Sequence, residues 1–184
     1  MALAQLLLDT AVQVPDVTAS STGAPPLDID VPHQEQDNWC WCAVTVGISR
    51  FFDQTFSLSQ CETAAQVLPI ADACNRPGDD DVDRMFDLDK ALQTFNHFDH
   101  VIEQPLAFED VEREILAQRP VGVQILFQDS GVMHFTIIRG CRRLEADRLL
   151  LIDDPQFDES EFAYERFKKS YRGDGEWIRS YITR

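Results

Sequence analysis

The chain has 184 residues, 44% hydrophobic and 26% charged, enough for one globular domain with a sizeable core. Its 32 acids against 16 Lys and Arg give a formal net charge of -16, so its surface repels phosphate backbones and anionic membranes, and neither nucleic acid nor membrane insertion is expected. No apolar stretch approaches the roughly 18 residues of a spanning helix; neutral or basic peptides are the better partners, and a monomer is the expected form.

In chain order, Met1 to Asp9 holds a short apolar run with no basic residue before it. That is a poor secretory signal, so the expected location is cytoplasmic, or secreted without a signal peptide. Residues 10–30 are rich in Thr, Ser, Pro, Asp and Ala, a composition that buries little. Residues 1–30 therefore read as a flexible N-terminal arm and 31–184 as the folded domain. Trp39 to Phe52 is apolar on nearly every turn, as in a central buried helix. Ser57 and Gln60 have capping-box spacing and open a second helix running to about Leu68. Asp80 to Phe95 suggests a third helix, with Met85, Leu88, Leu92 and Phe95 on one face. Phe108 to Gln118 suggests a fourth, stopped by Pro120.

The period then changes. Val121–Phe127, Val132–Arg139 and Leu149–Asp153 are short and rich in branched and aromatic residues, with polar turns between them, and Trp177–Thr183 is a plausible closing strand. Helices first and strands afterwards make the chain α+β.

Five cysteines, at 40, 42, 61, 74 and 141, are an odd count, too few for a disulfide scaffold, and lack zinc-site spacing. The acidic run Asp79 to Asp83 lacks the glycine and glutamate of a calcium loop, and acids at a helix start have a dipole reason to be there. No metal or cofactor is implied.

The informative stretch is Gln34-Glu-Gln-Asp-Asn-Trp-Cys40-Trp-Cys-Ala43. A loop precedes it and a long apolar helix follows, so Cys40 falls in a first helical turn. There the dipole favours a thiolate, and free backbone N–H groups can hold an anion. A glutamine just upstream can fold back and donate to an oxyanion. The competing reading makes Cys40 a small buried residue between two tryptophans. Cys42 lies about 200° round the helix and faces elsewhere.

A base is needed, and the chain has four histidines. His97 and His100 read as exposed loop residues, and His33 adjoins the Cys40 segment. His134, near the start of a strand after a polar turn, can face a cleft; the alternative is a core histidine bonded to backbone. Leu149 to Pro155 ends a strand in two carboxylates, Asp153 and Asp154, which point oppositely, so one of them can orient the imidazole.

The glutamine six positions before a Trp-flanked cysteine, the His-led strand and the strand ending Asp154-Pro155 resemble the bacterial branch of papain-like cysteine peptidases. The likeness includes plant-pathogen effector proteases and the peptidases that trim double-glycine leaders. Leu58-Ser-Gln-Cys-Glu-Thr-Ala64, Tyr164-Glu-Arg-Phe-Lys-Lys-Ser-Tyr171 and Gly175-Glu-Trp-Ile-Arg-Ser-Tyr-Ile-Thr183 extend it from about Val31 to the C-terminus. The resemblance implies a papain-like fold, with a helical half bearing the nucleophile packed on a C-terminal antiparallel sheet. It implies Cys40 as nucleophile, His134 as base, Asp154 as orienter and Gln34 as oxyanion donor in a peptidase acting on peptide or protein. Cys42 departs from the family's usual alanine, and Asp153 adds a second carboxylate beside the orienter. Cys61 and Cys74 match a cysteine pair of the family, bridged or not. The same triad would also serve a deamidase or transamidase, and the fold alone a peptide-binding effector or toxin module.

Overall fold

The computed structural model describes residues 23–145 and 147–184; most of the expected N-terminal arm lies outside the described residues. In chain order the elements are α1 (Cys40–Phe52), α2 (Gln60–Val67), a 3-10 turn (Ala73–Asn75), α3 (Leu88–Thr94), β1 (Phe98–Ile102) and α4 (Phe108–Leu116). They continue with β2 (Val121–Phe127), β3 (Met133–Leu144), β4 (Asp147–Asp153), β5 (Ser160–Ala163), α5 (Tyr164–Ser170) and β6 (Gly175–Thr183). The six strands form one antiparallel sheet in the order β1-β6-β2-β3-β4-β5, so the chain is α+β with a helical first half.

α1 is buried from Cys40 to Ser49, which fits a helix apolar all round rather than striped. It packs on β3 and α3. Gly47 permits the fit: a Cβ there would come within 3.0 Å of Asp30 O and Val31 Cα. The buried strands β2 to β4 supply the facing layer.

Several expectations need correction. The third helix begins at Leu88, not Asp80, because residues 79–84 are committed elsewhere. Arg76 pairs with Asp72, Asp79 and Asp81, and the carbonyls of Val82 and Arg84 accept the indole N–H groups of Trp39 and Trp41. The capping box of α2 lies two residues later than its spacing suggested. Ser59 is the N-cap, and its partner is Glu62, which leaves Gln60 free to turn inward. The weak alternations at β1 and β5 and the short α5 were not evident in the sequence. His100 sits in β1, and half-buried His97 stacks on Phe52.

The domain also starts earlier than Val31. Ala24, Leu27 and Ile29 are buried, and Leu27 N–H donates to Arg139 O at 2.7 Å. Arg139 is the extra residue of a bulge in the β3–β4 ladder, which frees that carbonyl. A Cβ at Gly140 would lie 2.9 Å from Pro26 Cα. A Pro-rich, polar composition hid three well-spaced apolar anchors. Cys61 and Cys74 form a disulfide joining α2 to the 3-10 turn.

Candidate active site

The start of α1 is assembled by its two tryptophans. Both rings are fully buried, and their N–H groups bond to Val82 O and Arg84 O at 2.9 Å. The first helical hydrogen bond runs from Ala43 N–H to Trp39 O. The amides of Cys40, Trp41 and Cys42 thus precede the helical ladder. No side chain caps this end and no acid lies in its first turn, so the helix's own residues leave its positive potential in place; Asp83 accepts Asn38 N–H at 2.8 Å just before it. Cys40 opens the helix at 2% exposure.

His134 is the second residue of β3, set opposite Ile125 of β2. Its Nε2 lies 2.9 Å from both carboxylate oxygens of Asp154. That leaves Nδ1 towards Cys40, which lies near enough to favour the ring's charged form. Burial works against the imidazolium, yet Asp154 and Cys40 outweigh it and push the pKa of His134 up to about 9. Phe157 meets the ring edge-on, with centroids 6.0 Å apart.

Asp154 is 2% exposed and receives three further donors: Tyr171 O–H at 2.7 Å, Gln156 N–H at 2.8 Å and Phe157 N–H at 3.0 Å. Burial alone would raise its pKa; the hydrogen bonds and the His134 charge hold it below the ordinary carboxylate value instead. Asp153 faces the other way, accepting Val31 N–H at 2.9 Å, and burial pushes its pKa up to about 6. The alternation expected of neighbouring strand residues is therefore present, and only Asp154 meets His134.

Gln34 lies on the loop before α1, its own N–H bonded to Pro155 O at 2.9 Å. Its side-chain nitrogen donates to Gln36 O at 2.9 Å and Asp37 O at 2.8 Å, while its Oε1 is buried without a partner. Both N–H groups of the expected oxyanion donor are thus engaged by backbone carbonyls. The loop, with Pro155 and Gln156, lines a polar depression of about 290 Å³. His33 borders it and pairs with Asp158.

The sequence profile of the family described as papain-like cysteine protease AvrRpt2 matches residues 26–172. The chain belongs to that family. It is a papain-like cysteine peptidase, an enzyme acting on protein substrates, and the match begins near the first buried residues of the domain. A search of curated proteins gives no match. No helix among the described residues is long and apolar enough to cross a membrane.

In this peptidase a thiol at a helix start, a cationic imidazole and a buried carboxylate stand in series, an arrangement able to hold a thiolate–imidazolium pair. Reasoning from sequence missed Tyr171, Phe157 and Gln60 as parts of this surrounding. Tyr171 lies 17 residues from the carboxylate it serves, beyond any local pattern. Gln60 carried a signal, its place in the Leu58–Ala64 match, but its spacing from Ser57 suggested a capping role.

Proposed function

We propose that the peptidase hydrolyses peptide bonds through a Cys40–His134–Asp154 triad. The observation that carries this reading is the ring of His134, set between Cys40 and a buried carboxylate with four donors. At neutral pH the ring is protonated, and the nucleophile of the proposed step is the thiolate form of Cys40. The thiolate attacks the scissile carbonyl carbon, and His134 Nδ1 passes its proton to the leaving amine. Water then attacks the thioester, giving a proton back to His134 as the acid product leaves.

The oxyanion is held by the Cys40 N–H and by Gln34, whose amide exchanges one backbone carbonyl for the developing charge. Giving up that bond offsets part of the gain. Removing Gln34 should therefore cost roughly 10- to 10²-fold in kcat, below the roughly 10²–10³ seen for a free donor.

The test is cleavage of a peptide library by the full chain, read by mass spectrometry, with Cys40→Ala as control. New termini that vanish with Cys40→Ala are expected. Ammonia released from intact protein would identify a deamidase instead, and tight binding without any product would identify a peptide-binding module.

A further inference from the structure

Gln60 is the first residue of α2, a position that usually faces water, yet it is 3% exposed. Its carboxamide spans the two residues flanking Gln34: Nε2 donates to His33 O at 2.6 Å, and Oε1 accepts Glu35 N–H at 3.1 Å. On the opposite edge of the same segment, Gln34 N–H donates to Pro155 O. Groups that alternate from one edge to the other are the pattern of an extended strand. Here one neighbouring "strand" is a single side-chain amide, and the other is the carbonyl next to Asp154. The backbone carbonyl of Gln60 accepts the Cys42 thiol of α1 at 3.1 Å, so one residue links the nucleophile helix to the Gln34 loop. This also gives Cys42 a role that alanine would not fill.

We infer that Gln60 is a positioning residue for catalysis: it fixes the backbone of residues 33–35 so that Gln34 is presented beside Cys40. The inference rests on the proposed role of Gln34. A carboxamide suits the task because it offers one donor and one acceptor side by side, as a peptide group does. Losing it strips His33 O and Glu35 N–H of their partners and lets the loop drift, and sub-ångström placement matters for an oxyanion donor.

The experiment compares Gln60→Met, Gln34→Ala, the double variant and Gln60→Glu on one cleavable peptide, alongside the iodoacetamide alkylation rate of Cys40. Gln60→Met should lower kcat about tenfold with KM within about threefold, and alkylation should stay within about twofold, because the thiolate does not need the oxyanion donor. In the double variant kcat should fall no more than about threefold below Gln34→Ala, since both changes remove the same contribution. Gln60→Glu guards against a misfolded methionine variant. Its acid form can donate to His33 O and accept from Glu35 N–H, so its kcat relative to wild type should recover as pH falls towards about 5.

An unchanged kcat in Gln60→Met, multiplying effects in the double variant, or a Gln60→Glu deficit that ignores pH would each overturn the inference. A wild-type chain no more active than Cys40→Ala would overturn the proposed triad, and this inference with it. Full activity of Gln34→Ala beside a slow Gln60→Met would remove Gln34 from the site while the triad stands, which also refutes the coupling.

Discussion

Asp154→Asn is the sharpest perturbation of the site. Oδ1 of Asp154 accepts from Gln156 and Phe157 N–H, and an asparagine would keep its oxygen there to satisfy both. Its NH2 group would then occupy the place of Oδ2, which faces Tyr171 O–H and His134 Nε2. Tyr171 can rotate its hydroxyl to accept. His134 Nε2, 2.9 Å from both positions, then faces an amide N–H on one side and, on the other, a neutral oxygen already shared by two N–H groups, which favours the tautomer unprotonated at Nε2 with its proton on Nδ1, on the Cys40 side. That tautomer cannot take the thiol proton.

The pKa of His134, pushed up to about 9, falls towards the unperturbed value of about 6.5, because burial is then opposed by Cys40 alone. The difference is worth about 3 kcal/mol, or roughly 10²-fold in the ion-paired form. Cys40 alkylation at pH 6 should drop by about that factor. Peptide turnover near pH 7.5 should fall in parallel, while Asp153→Asn stays within a few-fold of wild type. Alkylation of Asp154→Asn within threefold of wild type at pH 6 would refute the assignment, and a reversed order of the two variants would move it to Asp153.

Three further outcomes follow from the same contacts. Tyr171→Phe removes one of four donors to Asp154 and should slow turnover about three- to tenfold. Without it the Asp154 carboxylate is a stronger acceptor for His134, so the alkaline limb of the activity profile, set by His134 near pH 9, should move to higher pH; an unmoved limb would show that Tyr171 only packs. Asp153, with its folded pKa near 6 against an ordinary 3.8, binds more protons folded than unfolded between those values, so stability is lost as pH rises through about 6. Asp153→Asn should therefore raise Tm at pH 7.5 by roughly 3–8 °C, with the gain fading towards pH 4, and calorimetry at both pH values checks it. A chain beginning at Val31 gives up Ala24, Leu27 and Ile29. It should melt more than about 6 °C below one beginning at Gly23, since each large apolar residue is worth about 1.5–3 kcal/mol.

The parts of the site that local patterns encode were readable before any coordinates. Cys40 could be placed because a loop gives way to an apolar helix at that point. Asp153 and Asp154 could be seen to point apart because strand neighbours alternate, but choosing Asp154 took the family resemblance. The start of α3 was not readable, since residues 79–84 serve two indoles and an arginine that lie elsewhere in the chain. Ala24, Leu27 and Ile29 were masked by the prolines and acids between them. Tyr171 and Gln60 act across 17 and 27 residues; both lie in segments that resemble the family, but no local pattern says what either side chain touches. What the sequence withheld is the set of side chains whose purpose is to hold another residue still.

The Cys61–Cys74 bridge has a practical consequence for the bench. Cys74 is exposed and closes a segment with a sequence separation of 13, a loop for which the bond is worth about 3 kcal/mol. A thiol reductant added to keep Cys40 in its reactive form also attacks this bond through the accessible sulfur. The two effects oppose each other. Activity should climb with reductant while Cys40 is being uncapped and then decline, with thermal tolerance, once the bridge next to Gln60 opens. A titration of activity and Tm against dithiothreitol would separate the two regimes, and a single working concentration of reductant would conceal them.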